Sequence, residues 1–144
     1  MAEILHDVPI EGSREAVYKA LTEGSEINKW WTTNGQAMPD EGTTIHVEFF
    51  GGMVKMDYHV DKLVDGQQIE WTVTGPPSPE WADTRVSWQL VDGEQSQTLL
   101  RFAHRDWKST EGAFPSINFA WGGYLMSLKQ YVETGQGMPH QFEG

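Results

Sequence analysis

The chain has 144 residues, of which 38% are hydrophobic and 22% charged; its net charge is −11 and it contains no cysteine. These values speak against a disordered polymer, a disulfide scaffold and any thiolate chemistry. The acidic balance speaks against nucleic acid and anionic membrane surfaces as partners, because both are held by clustered Lys and Arg.

No apolar run reaches the roughly 20 residues of a membrane helix, so no membrane insertion is expected. The start, Met1-Ala2-Glu3-Ile4, lacks the basic and apolar blocks of a signal peptide. The cytoplasm is therefore the expected compartment. The length fits one domain over residues 1–144.

Ile4, His6, Val8 and Ile10 alternate on one face and predict a first strand. Pro9 cannot donate to a ladder, which either places that strand at an edge or ends it there. Ser13 reads as an N-cap, followed by the helical stripe Ala16, Val17, Ala20 and Leu21. Gly24 stops this helix, and a second short helix carries Ile27, Trp30 and Trp31. Residues 35–42 read as a loop. Ile45, Val47 and Phe49 then alternate, and after the Gly51-Gly52 turn so do Val54, Met56, Tyr58 and Val60. Asp65-Gly66 signals a hairpin before Ile69, Trp71 and Val73. Gly75-Pro76-Pro77-Ser78-Pro79 reads as a rim loop, a candidate lid together with Trp81. Val86, Trp88 and Leu90 alternate, Asp92-Gly93 turns the chain, and Thr98, Leu100, Phe102 and His104 complete the meander. Ile117, Trp121, Leu125, Leu128 and Val132 recur at helical spacing up to Gly135. The tail from Gln136 onward reads as loose.

This order predicts the α+β class. A curved antiparallel sheet of six to seven strands wraps round one long C-terminal helix, with two short helices after the first strand. A helix laid in a curved sheet leaves space that is either packed by large side chains or open as a pocket. Seven Trp, six Phe and four Tyr suit either outcome.

Several segments resemble a known family. Val17-Tyr18-Lys19-Ala20-Leu21-Thr22 followed by Trp30-Trp31 resembles the "VW-x-ALT … WW" opening of SRPBCC (START-like) proteins. The closer likeness is to the bacterial group related to the activator of heat-shock-protein ATPase. Leu100 to Trp107 resembles that group's "L-x-F-x-H-x-G-W" segment, with Asp106 where glycine is usual. Trp121 to Leu125, with Gly135, resembles its closing "GW-x-x-x-L … L-x-x-G" helix. The likeness runs over residues 3–138. It implies the helix-grip fold with a hydrophobic cavity under the long helix. Similar proteins include lipid and polyketide binders, aromatase-cyclases and stress-related binding proteins, so the resemblance alone leaves function open.

The expected ligand-binding set is Trp31, Met56, Tyr58, Trp71, Trp88, Phe102, His104, Trp121 and Leu125. Indole offers a large apolar face with one donor at its edge. Of Trp30 and Trp31, one is expected to anchor the short helix and the other to stand near the entrance. His6 and His104 share the inward parity of the first and last strands, and with Tyr58 they are the candidates for acid–base chemistry. The plainer reading is two structural histidines, since catalysis needs an orienting group that the sequence does not identify. No HExxH-type spacing predicts a metal, no nucleotide loop predicts a cofactor, and no GxSxG marks a nucleophile. Gly122-Gly123 inside a helix points either to close packing on the sheet or to a kink or a space left for ligand.

Three functions follow in order of preference: a carrier of a small apolar or aromatic molecule without chemistry of its own; a cyclase or hydratase using the histidines; and a protein-interaction module like the chaperone-ATPase activator. A second copy of the chain is a further candidate partner.

Overall fold

The computed structural model describes residues 2–75 and 78–141. The elements run β1 (Ala2–Glu11), α1 (Arg14–Thr22), α2 (Gly24–Ile27), β2 (Gly35–Gln36), β3 (Thr44–Phe49), β4 (Val54–Val64), β5 (Gln68–Val73), β6 (Arg85–Asp92), β7 (Gln97–Trp107) and α3 (Ala113–Thr134). All neighbouring strands pair antiparallel, in the order β1-β7-β6-β5-β4-β3-β2. The expected helix-grip architecture is present: a curved seven-stranded sheet holding one long helix.

Period-two alternation decides which side chains meet α3. Ile4, Val8 and Ile10 of β1 are buried, while Leu5 is exposed. Inward residues of every long strand join Trp121, Leu125 and Leu128 of α3 in one core. Local chemistry sets the element ends. The Ser13 hydroxyl accepts from the Ala16 N–H at 3.1 Å and caps α1. Gly135 ends α3 at φ +85° and donates to the Tyr131 carbonyl.

Three segments differ from the sequence reading. The segment read as a loop over 35–42 contains β2, two residues that bridge to Val47 and His46 of β3. The second short helix stops at Ile27, so Trp30 and Trp31 stand in the turn beyond it. The tail is tied down as far as His140. The Ser127 hydroxyl accepts from the Met138 N–H, and His140 exchanges backbone hydrogen bonds with Trp31 and Thr33. A Cβ at Gly137 would stand 2.6 Å from the Lys29 carbonyl oxygen, so only glycine fits that passage. Of the proline-rich rim loop, Pro76 and Pro77 lie outside the described residues. Its neighbour Trp81 is buried and stacked on Trp107 at 6.1 Å.

Asp106, at the position where the resemblance implies glycine, sits at φ +70°. That left-handed backbone is tolerable for Asp and free of strain for Gly. The Asp106 contact to Arg85, at 3.8 Å between exposed groups, contributes little. Asp106→Gly is therefore expected to raise stability by about 0.5 kcal/mol, read as a higher urea midpoint at unchanged slope.

Candidate functional site

The space between α3 and the sheet is filled by rings. Trp30, Trp31 and Trp71 form a stack, with centroid separations of 5.5 and 5.9 Å and nearly parallel planes. Trp88 meets Trp71 edge-on at 5.2 Å and Phe102 at 4.8 Å. Trp121 of α3 closes the cluster against Phe102 at 4.6 Å and Trp31 at 5.6 Å. Offset and edge-to-face contacts of this kind add to what area burial alone gives.

The nine residues expected to bind ligand are Trp31, Met56, Tyr58, Trp71, Trp88, Phe102, His104, Trp121 and Leu125. All nine are buried, and most of them meet in this cluster. Of the two outcomes open to a helix in a curved sheet, side chains packed together is the one observed. Trp30 anchors its surroundings, donating from Nε1 to the Ala20 carbonyl at 2.7 Å. Trp31 stands at the centre of the cluster and not at an entrance.

His104 is held at both ring nitrogens. Trp121 Nε1–H donates to His104 Nδ1 at 3.0 Å. That fixes the proton on Nε2, which donates to the Thr84 hydroxyl at 2.7 Å; Thr84 in turn donates to the Trp81 carbonyl. Burial pushes the His104 pKa down to about 3, so the ring is neutral at ordinary pH. His6 faces elsewhere: its Nε2 lies 3.1 Å from Asn118 Oδ1 of α3, and its ring rests on Phe102. Tyr58 stands on β4, three strands from β7, or about 14 Å along the sheet. Burial raises its phenol far above the ordinary range. The three acid–base candidates therefore do not converge, and the structural reading of His104 has its partners.

Polar satisfaction in the cluster is incomplete. Among the described residues, no acceptor reaches the buried indole N–H groups of Trp31 and Trp88. Among the described residues, Trp81 and Trp107, stacked beyond His104, show the same deficit. A buried donor left unpaired costs about 1–3 kcal/mol. This deficit is not legible in the sequence, since an indole's partner depends on distant backbone.

Two larger hollows lie outside the cluster. One of about 810 Å³ lies across β1, β7, β6, β5 and β4 and mixes Arg85, Arg101 and Arg105 with Asp7, Asp61 and Glu70. The other, about 750 Å³, runs along α3 and is mostly apolar, lined by Phe119, Gly122, Gly123, Tyr124, Met138 and His140 among others. Phe119 is 88% exposed and Met126 56%. Among the described residues, a Cβ at Gly122 or Gly123 would meet nothing within 4 Å, and α3 runs unbroken through both. Close packing on the sheet is thus not the reason for these glycines. This outer face lies off the inward stripe, whose periodicity dominates the sequence of α3. Its signal was available: Phe119 and Met126 stand seven residues apart in a helix without a charged residue from Ala113 to Leu128.

On the opposite side, His46 Nδ1 lies 2.5 Å from Asp57 Oδ1 and its Nε2 lies 2.6 Å from Glu48 Oε2. Hydrogen bonds to Asp57 and then Glu48 raise the His46 pKa. Among the described residues, no helix is long and apolar enough to cross a membrane.

Residues 11–133 match the family model described as Activator of Hsp90 ATPase homolog 1-like protein. The solved Aha1 dimer from Colwellia psychrerythraea is 35% identical to the chain, with a TM-score of 0.85, covering 95% of this chain and all of that one. Protein SSP2350 from Staphylococcus saprophyticus is 17% identical at a TM-score of 0.79, covering 98% and 99% of the two chains. CalU16 from Micromonospora echinospora is 15% identical at a TM-score of 0.75, covering 94% of this chain and 76% of its own. The last two show the shared fold alone. No curated protein matches the chain in sequence.

Proposed function

Because the chain belongs to the Activator of Hsp90 ATPase homolog 1-like family, we propose that it is a binding module for a small apolar molecule carrying hydrogen-bond acceptors. The ligand would enter between α3 and the sheet, displacing rings of the aromatic cluster. The observation that carries this reading is the pair of unpartnered donors, Trp31 Nε1 and Trp88 Nε1, inside an otherwise apolar site. A flat molecule with a carbonyl or hydroxyl oxygen would stack on the indoles and satisfy these donors. No chemistry is assigned, because His104 is committed at both nitrogens.

The test is a tryptophan-fluorescence and thermal-unfolding screen against flavonoids, fatty acids and polyketides. A true ligand quenches the cluster and stabilises the fold by about 2.7 kcal/mol at about one hundred times its Kd. Trp88→Phe removes one unpaired donor. It is expected to cost the unliganded fold only about 1–2 kcal/mol, as one buried ring replaces a larger one, while weakening the ligand about tenfold, the worth of one hydrogen bond. Silence from every ligand class would sink this reading.

A second reading rests on a different observation. The outer face of α3 exposes apolar side chains, and a 35% identical relative is described as a dimer. We infer that this chain also pairs with a second copy of itself.

A further inference from the structure

We propose that the two copies meet through the outer face of α3, crossing antiparallel about a two-fold axis that passes between Gly122 and Gly123. This deepens the dimeric reading given above and rests on it.

Charge selects the face. Each copy carries a net charge of −11, so a contact that brings carboxylates together is disfavoured and one free of charged groups is favoured. From Ala113 to Leu128 α3 has none. A surface helix ordinarily turns polar and charged residues outward. Here Phe119 and Met126 are turned outward, and Met138 flanks them at 59% exposure.

Shape selects the centre. Phe119 and Met126 are two helical turns apart and share one line along the helix, with Gly122 and Gly123 on either side of it. The open space over both glycines lets a second helix backbone approach closely. The approaching helix would fill the groove of about 750 Å³.

Symmetry completes the argument. A two-fold interface must be self-complementary. Phe119 and Met126 are equally far from the midpoint of Gly122-Gly123, on opposite sides. An antiparallel crossing there sets Phe119 of each copy against Met126 of the other, a rigid ring on an adaptable thioether. One turn further out, Ser116 comes opposite Lys129 and Pro115 opposite Gln130, so no like charges face each other.

Light scattering after size exclusion, over a wide concentration range, reads the mass directly. Wild type is expected at twice the 16.3 kDa of one chain. Phe119→Asp and Gly123→Leu are expected to weaken the dimer at least tenfold while keeping a native near-UV circular dichroism spectrum, since neither position packs against its own chain. The chain has no cysteine, so engineered thiols report cleanly. A Phe119→Cys, Met126→Cys double variant should cross-link between copies on mild oxidation, and Glu94→Cys should not. A dimer that survives both disrupting variants overturns this interface while leaving the dimeric reading intact. A wild type that stays at one chain's mass throughout overturns both.

Discussion

Trp31→Ala is expected to remove about 3–5 kcal/mol of stability, the range for emptying a buried aromatic site. The case rests on position. Trp31 is buried and has five aromatic neighbours: Trp30, Tyr58, Trp71, Trp121 and Tyr124. Those rings come from β4, β5, α3 and the turn after α2. They cannot all collapse into the vacated volume, so a cavity is left. Thermal unfolding should fall by about 10 °C or more in a chain of this size. Trp31→Phe retains ring contact and removes the unpartnered donor, so its cost should be only about 1–2 kcal/mol. Added free indole should recover part of the alanine loss, as apolar cavities take up matching rings. An alanine variant within about 1 kcal/mol of wild type would show that the stack does not hold the fold together.

The second large effect is acid sensitivity through His104. Its folded pKa is depressed to about 3, against about 6.5 in an unfolded chain. Below pH 6.5 the unfolded chain takes up a proton that the native ring refuses. Stability therefore rises with pH up to about 6.5, and falls by about 1.4 kcal/mol for each unit below it. Between pH 6.5 and 4.5 this one group should remove about 2.7 kcal/mol. His104→Gln cannot gain that proton. It is expected to cost about 1–3 kcal/mol at neutral pH, by disturbing the bonds to Trp121 and Thr84, and to flatten the acid limb. Urea unfolding of both proteins across this pH range separates the two contributions. Parallel losses in wild type and variant would mean that other groups drive the acid response.

The architecture was legible because most strands here have one buried face, and period two survives in their sequences. Asp65-Gly66 marked its hairpin for the reason seen in the structure: Gly66 sits at φ +68°. Element order then left α3 as the only cover for the sheet. What could not be read was which side chains find each other. His6 and His104 share a parity, yet β1 sets His6 opposite Phe102 and gives Ile4 to His104. A register shift of two residues separates a histidine pair from two unrelated rings. The partners of His104, Thr84 and Trp121, come from a loop and a helix distant in sequence. The tail looked loose because Gly137, Met138 and Pro139 carry no periodicity. Its fixation comes from Ser127 and from the backbone around Trp31.

The pairing of β1 with β7, and the lodging of residues 137–140 beside Trp31, have a kinetic meaning. The first strand finds its neighbour only after about ninety further residues have been made. Until then the apolar side of β1 and half the indole stack are uncovered. Such long-range closure slows the search for the native state and keeps sticky intermediates alive. A nascent chain of this kind would finish folding only after release of residue 140, and cells would need to shield it until that moment.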